Sequence, residues 1–179
     1  MDKRLIENAR VRKSIEEALF KLMNEKKFSE ITVSDIIHIA GVARASYYRN
    51  YNSKEQVIES FIIRIHNDAE YFGKHINTLE DVANLETITE SLTYYLQYKY
   101  YILQLYDNGF GSLVLEMYNQ FVEEALGDMP QHSTQKYKLY FLTGSAFNIM
   151  IQWLKNGAVE SPYEMAQAFL TFWNGGNQS

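Results

Sequence analysis

Apolar residues recur three and four positions apart along almost the whole chain, and only two prolines and nine glycines interrupt its 179 residues. That spacing lines one face of a 3.6-residue helix, whereas the β-branched residues are dispersed rather than alternating, so strands have no period-two support. The pattern predicts an all-α protein with disorder confined to the ends. The length suits one core-bearing body plus a small module, and 46% apolar content is ordinary for a globular chain.

A first helix is expected over about residues 3 to 24, with Val11, Ile15, Ala18, Leu19 and Leu22 on one face and Arg10, Arg12 and Lys13 on another. A connection through Lys26, Lys27, Phe28 and Ser29 leads to Thr32, which can cap a second helix with Asp35 completing a capping-box pair. Val33, Ile36, Ile37 and Ala40 then stand at i, i+3, i+4 and i+7, Gly41 sits where the chain turns, and Val42 can drop into the core. The stretch after Gly41 is too short for a core helix but fits a DNA major groove, about 12 Å wide. Ser53 and Gln56 form another capping signature, opening a helix through Val57, Ile58, Phe61, Ile62 and Ile65 toward about residue 75. Thr78 to Leu85 reads as a polar connection, followed by helices at about 86–97, 99–107, 111–126, 134–156 and 162–174. Gly109, Gly111 and the Gly127-Asp128-Met129-Pro130 stretch punctuate this run. Asn156-Gly157 closes the long helix, Ser161, Pro162 and Glu164 open the last, and Gly175 to Ser179 reads as a frayed tail.

Residues 32 to 55 resemble the N-terminal motif of the tetracycline-repressor (TetR) family of transcriptional regulators, roughly T-V-x-x-I-A-x-x-A-G-V-S-x-x-T-x-Y-x-x-F-x-x-K-E. Thr32, Val33, Ile36, Ala40, Gly41, Val42, Ser46, Tyr48, Tyr51, Lys54 and Glu55 stand at the matching places. Three residues depart from it: Ile37 for a small alanine, Ala43 for the serine cap of the recognition helix, and Tyr51 for phenylalanine. Gly144 and Ile151-Gln152-Trp153-Leu154-Lys155-Asn156-Gly157 extend the resemblance to one subgroup of these regulators. It implies a helix-turn-helix DNA-binding head over residues 1–60 and a helical effector-binding and dimerisation body over 61–179.

Within that motif Arg44 is the expected base reader, because a guanidinium can bond both O6 and N7 of a guanine. Ala45 can offer only apolar contact, to a thymine methyl. The resemblance places Ser46 and Tyr48 against phosphate or base edges and Lys54 against a phosphate, while Tyr47 matches a position that packs inward. Thr32 and Ser34 can present hydroxyls and N–H groups at the start of the second helix, and Asn50 is a further backbone candidate. The double-stranded operator DNA implied as partner suits the charge distribution. The net charge of −5 divides into +2 over residues 1–60 and −7 over the rest, a mildly basic head on an acidic body.

The body carries most of the 14 tyrosines, six of them (Tyr94, Tyr95, Tyr98, Tyr100, Tyr101 and Tyr106) within thirteen residues. Core packing accounts for many of these rings. An effector pocket is nevertheless expected among Tyr94, Tyr98, Tyr101, Phe110, Met117, Tyr118, Phe121, Tyr140 and Phe147, suited to an aromatic or amphipathic small molecule rather than an anion. A homodimer is expected through the last two helices, with Phe147, Ile151, Leu154, Met165, Phe169 and Phe172 as its apolar faces.

Without cysteine there is no disulfide, thiol nucleophile or thiolate metal site, and a reducing cytoplasm fits. The N-terminus has no signal-like apolar run and no stretch approaches the roughly 18 to 20 residues of a membrane span, so a soluble protein is expected. His38, His66, His75 and His132 lack the spacing of a metal site, Glu123 and Glu124 read as a solvated face, and no nucleophile elbow or phosphate loop occurs. Neither cofactor nor catalysis is expected. Two alternatives accompany the leading reading of an effector-released dimeric repressor. One is a co-regulator whose body docks a protein partner, and the other is an enzyme using the tyrosine-rich region.

Overall fold

A computed structural model describes residues 3–73, 78–126 and 134–175; the Gly127–Pro130 stretch, His75, His132 and the last four residues lie outside them. The described residues form helices and no strand. In order these are α1 (Lys3–Met23), a 3-10 turn (Phe28–Glu30), α2 (Val33–Ala40), α3 (Arg44–Asn50), α4 (Lys54–Gly73), α5 (Leu79–Val82), α6 (Leu85–Gln97), α7 (Lys99–Leu105), a π turn (Tyr106–Phe110), α8 (Gly111–Leu126), α9 (Gln135–Lys155) and α10 (Pro162–Gly175). Two compact units divide the chain, the first ending at Ile65 and the second beginning at His66, so the division falls inside α4.

The first unit packs α1 across α2 and α3. Ile15, Leu19, Phe20, Ile36, Tyr47, Val57 and Ile58 are fully buried in it, and the rings of Phe20 and Phe61 meet at 4.6 Å. The helix ends follow the capping chemistry. Gly41 adopts φ 64°, ψ 31°, which turns the chain between α2 and α3 at no Cβ cost. At the start of α4 the Gln56 N–H donates to Ser53 Oγ at 3.2 Å, while Gln56 Oε1 reaches one residue further back, accepting from the Asn52 N–H at 2.6 Å.

In the second unit α10 runs along α6 and α8 pairs with α9. Two apolar clusters fill it. One gathers Ile102, Phe147, Met150, Ile151, Trp153 and Leu154; the other gathers Val82, Val122, Leu139, Leu142 and Phe169. The fully buried Thr143 hydroxyl bonds Asn119 Oδ1 and the Leu139 carbonyl, satisfying a polar group at the α8–α9 contact. Ser161 and Glu164 form the expected box at α10, N–H to Oε2 at 2.8 Å and N–H to Oγ at 3.2 Å. The connection expected from Thr78 contains the short helix α5, because Thr78 and Asp81 make the same reciprocal box that opens α2, at 2.9 and 3.2 Å.

Between α7 and α8 the chain bulges into the π turn, with Gly109 at φ 88°. Asp107 pairs with Lys155 at 3.2 Å and the Lys155 ammonium lies 4.2 Å over the Tyr106 ring, fastening the bulge to the end of α9.

Candidate nucleic-acid interface

The start of α2 is fixed by a complete capping box: the Thr32 N–H donates to Asp35 Oδ2 at 2.9 Å and the Asp35 N–H to Thr32 Oγ1 at 3.1 Å. Lys26 Nζ donates to the same Oδ2 at 2.7 Å. The Lys26 ammonium first, then the Thr32 N–H, hold the Asp35 carboxyl down to about 2. Thr32 and Ser34 are exposed here, so the two hydroxyls flank a helix start whose dipole favours anions.

On α3 the residue types separate cleanly by face. Tyr47 is wholly buried, whereas Arg44, Ala45, Tyr48 and Arg49 are exposed. The Arg44 guanidinium lies 5.2 Å over the Tyr48 ring and donates to its hydroxyl at 3.3 Å, joining the two into one flat, cationic unit. Ser46 and Asn50 are half-buried, and Asn50 Nδ2 donates to the Ser46 carbonyl at 2.9 Å, leaving Oδ1 outside that bond. Ala43 contributes no side-chain cap, as its lost hydroxyl requires.

Burial, and after it the negative charges of Tyr48, Glu55 and Tyr51 when ionised, push the Tyr47 phenol up to about 12, and its hydroxyl has no hydrogen-bond partner among the described residues. Its inward position is the one expected.

Lys54 stands at the start of α4, but its ammonium turns inward to the Phe28, Ile31 and Ser29 carbonyls at 2.6, 2.7 and 3.4 Å. The Phe28 carbonyl already closes the 3-10 turn by accepting the Ile31 N–H at 3.1 Å, and a lysine with three donors adds a second bond there and reaches the Ser29 and Ile31 carbonyls. The expected phosphate contact therefore competes with a turn-closing role already in place.

Sequence reasoning missed a polar cluster built on a buried carboxylate in the head. Glu16 is 4% exposed, accepts from Arg64 at 2.6 Å and from the Tyr51 hydroxyl at 3.4 Å, and lies beside Arg12, whose Nε donates to the same hydroxyl at 3.3 Å. The available signal was the i, i+4 spacing of Arg12 and Glu16 on α1, next to Ile15.

In the body the residues expected to line a pocket are distributed over two apolar clusters and the surface. Tyr98 and Phe147 belong to the first apolar cluster, Tyr118 and Phe121 to the second, and Tyr94 is buried with its ring 5.1 Å from that of Tyr98. Tyr101, Phe110 and Met117 are half-buried, and Tyr140 is exposed with its hydroxyl donating to Glu123 at 2.5 Å. A different set surrounds the buried His66 on α4. The ring of Phe121 lies 6.0 Å from its imidazole, and those of Tyr95 and Tyr118 each lie 6.4 Å away. Burial raises both phenols, Tyr118 to about 12 and Tyr95 further, while each residue as a whole is half-buried.

Most of the residues expected at a dimer surface are packed within the chain itself. Phe147, Ile151 and Leu154 are 8%, 1% and 0% exposed and Phe169 is 6%, because these faces pack into the chain's own two clusters. Met165 is partly buried against the first cluster, and only Phe172, at 71%, points outward. Other large side chains are outward on α9, Tyr137 and Phe141 among them. The periodicity identified apolar stripes correctly but could not say which stripe meets its own chain.

Among the described residues no group of His, Cys, Asp and Glu is placed to hold a metal ion, and no helix is long and apolar enough to cross a membrane.

The fold is shared with known proteins. The chain resembles a TetR transcriptional regulator from Streptococcus agalactiae 2603V at 19% identity, covering 94% of this chain and 96% of that one with a TM-score of 0.65. It also resembles a protein from Syntrophomonas wolfei str. Goettingen assigned to the TetR family, at 17% identity, 92% and 93% coverage and a TM-score of 0.63. A third likeness is to the dihydroxyacetone kinase operon activator DhaS, at 16% identity, 90% and 93% coverage and a TM-score of 0.58. At these identities the structures share the fold. No curated protein matches the sequence. The profile for bacterial regulatory proteins of the tetR family matches residues 15–61, and that for a transcriptional regulator C-terminal region of the same family matches residues 83–175. With a helix-turn-helix head and a helical body both accounted for, the chain belongs to the TetR family of transcriptional regulators.

Proposed function

We propose that the protein is a dimeric repressor that reads a two-fold operator with α3 and is released by a small molecule bound in the body. The observation that carries the DNA-reading half is the exposed Arg44–Tyr48 pair on a helix whose opposite side is anchored by the buried Tyr47. An arginine held flat by a tyrosine presents a preordered fork to a guanine edge, and the basic head favours the phosphates around it.

The dimer is assigned to the outward faces of α9 and α10. Tyr137, Phe141 and Phe172 are 60%, 65% and 71% exposed, and the Phe141 ring lies 5.8 Å from that of Trp173, bringing the outward faces of the two helices side by side. Gly144, one turn along from Phe141, has no neighbour within 4 Å of where a Cβ would stand, which leaves room for a second helix. An isologous pair of such faces places two heads about 34 to 36 Å apart, one turn of DNA.

The effector is assigned to the His66, Tyr95, Tyr118 and Phe121 surround. Three aromatic rings close about the imidazole, and two phenols held un-ionised by burial supply polar handles with it among apolar walls. A neutral or cationic aromatic compound fits this surround of aromatic rings. The test is selection of operator sequences from random DNA by the purified protein, followed by a thermal-shift screen and operator competition. One enriched palindrome and a stabilising aromatic compound that weakens operator binding are the expected results. Failure to enrich any sequence refutes operator reading, while enrichment with no stabilising compound that alters affinity refutes the effector alone.

A further inference from the structure

We infer that the Tyr51 hydroxyl is a positioning group for the recognition helix, fastening its C-terminal end to the buried Glu16 carboxylate, which a half-exposed Arg64 pairs across α1 and α4.

α3 has seven residues and buries one of them, Tyr47. A helix held by a single ring can pivot about it. Its own side chains do little to prevent this. Among the described residues, Arg44 bonds Tyr48 and Asn50 bonds Ser46, both within the helix, Ala43 makes no cap, and the Tyr47 hydroxyl bonds nothing. The first side-chain bond outward comes one residue past the helix end, at Tyr51.

Tyr51 is 2% exposed, and its N–H still closes α3 by donating to the Tyr47 carbonyl at 2.9 Å. Its hydroxyl accepts from Arg12 Nε at 3.3 Å and donates to Glu16 Oε1 at 3.4 Å. The other oxygen of that carboxylate takes Arg64 Nη2 at 2.6 Å, and Arg12 Nη2 continues to Ser60 Oγ at 2.5 Å. A carboxylate 4% exposed is tolerable only with such partners, and their geometry fixes where the phenol can sit. Tyr47 and Tyr51 are thus two anchor points for α3, one apolar and one polar, and the second removes the pivot. The phenylalanine of the motif that this segment resembles would fill the same space without the bond.

Pivoting harms directional base contacts more than the diffuse attraction between a basic surface and phosphates. The readout is therefore the ratio of operator to non-specific affinity, which general loss of stability does not shift. Tyr51→Phe, Glu16→Gln and their double variant are compared in the full chain, on a selected operator and on unrelated DNA of equal length at fixed salt, with melting followed in parallel. Tyr51→Phe is expected to melt near the wild type, to keep non-specific affinity, and to lose operator affinity about tenfold, the size of one charge-assisted hydrogen bond. The double variant is expected to lose little more than either single one, since both break the same link. Wild-type operator affinity in Tyr51→Phe, equal loss on both DNAs, or losses that multiply in the double variant would overturn the inference. Should Glu16→Gln fail to fold, Arg64→Lys is set against Arg64→Gln. The lysine, which keeps the charge, is expected to retain operator preference and the glutamine to lose it; identical behaviour overturns the inference.

Discussion

The Lys54 ammonium sits 2.6 Å from the Phe28 carbonyl oxygen and 4.5 Å from the centroid of the same residue's ring. One residue thus supplies both an acceptor and a cation–π face, and the lysine closes the turn before α2. Lys54→Met is expected to cost about 1–3 kcal/mol of stability, since carbonyls lose their donor. The slope of log affinity against log salt should change by much less than the roughly 0.9 of a lost phosphate contact. A full unit of slope lost at unchanged melting temperature would restore the phosphate role.

Arg44→Ala is expected to relax discrimination at one base pair by about 1 to 3 kcal/mol, the value of a bidentate contact. Tyr48→Phe, which keeps the ring beneath the guanidinium but removes its hydroxyl partner, should lose part of that discrimination at the same base pair. Competition with single-base operator variants reads both. Equal penalties at every position would show that neither residue reads sequence.

Tyr47 carries a buried hydroxyl without a partner, so Tyr47→Phe is expected to leave stability at neutral pH unchanged or raised by up to about 1 kcal/mol. The folded phenol ionises near 12, above the ordinary 10 of an unfolded tyrosine, so the unfolded state gains as pH rises through that interval. Wild-type stability should fall more steeply than that of Tyr47→Phe between pH 10 and 12 in denaturant titrations. Parallel curves would contradict the assignment.

Asp35 behaves oppositely. Its carboxyl is lowered from 3.8 to about 2, so the stabilisation it brings is complete above pH 4 and lost as pH falls through 2. The melting difference between wild type and Asp35→Asn is expected to narrow over that range, and a difference independent of pH would argue against the Lys26 and Thr32 contacts.

Phe141→Glu and Phe172→Glu should yield folded monomers in sedimentation, because both side chains stand outward on α9 and α10. Leu154→Ala should instead destabilise by about 2 to 5 kcal/mol, as expected for a core cavity. A dimer persisting in both glutamate variants would move the interface elsewhere.

Local chemistry was the most legible part of this sequence. Thr32 with Asp35, Gly41, and Ser161 with Glu164 each specify a helix boundary through a few atoms, and the structure places those boundaries there. Thr78 with Asp81 carried the same signature, hidden only because the intervening helix is four residues long. The division of α9 between inward Phe147, Ile151 and Leu154 and outward Tyr137 and Phe141 was not legible, since both stripes are apolar and only tertiary packing chooses between them. The same limit hid Tyr95 and His66, whose rings come from helices distant in sequence, and Lys54, whose partners are main-chain carbonyls with no side-chain signature.

The buried Glu16 also restricts the order in which this sequence can drift. Removing Arg64 first leaves the buried carboxylate with no charged partner and only the Tyr51 hydroxyl, a step of up to about 3–5 kcal/mol that a marginally stable domain rarely survives. Exchanging Tyr51 for phenylalanine first leaves the ion pair standing, and once the whole cluster has become apolar the net change is small. Replacement of the cluster is therefore open along some mutational paths and closed along others, although its starting and final sequences can be about equally stable.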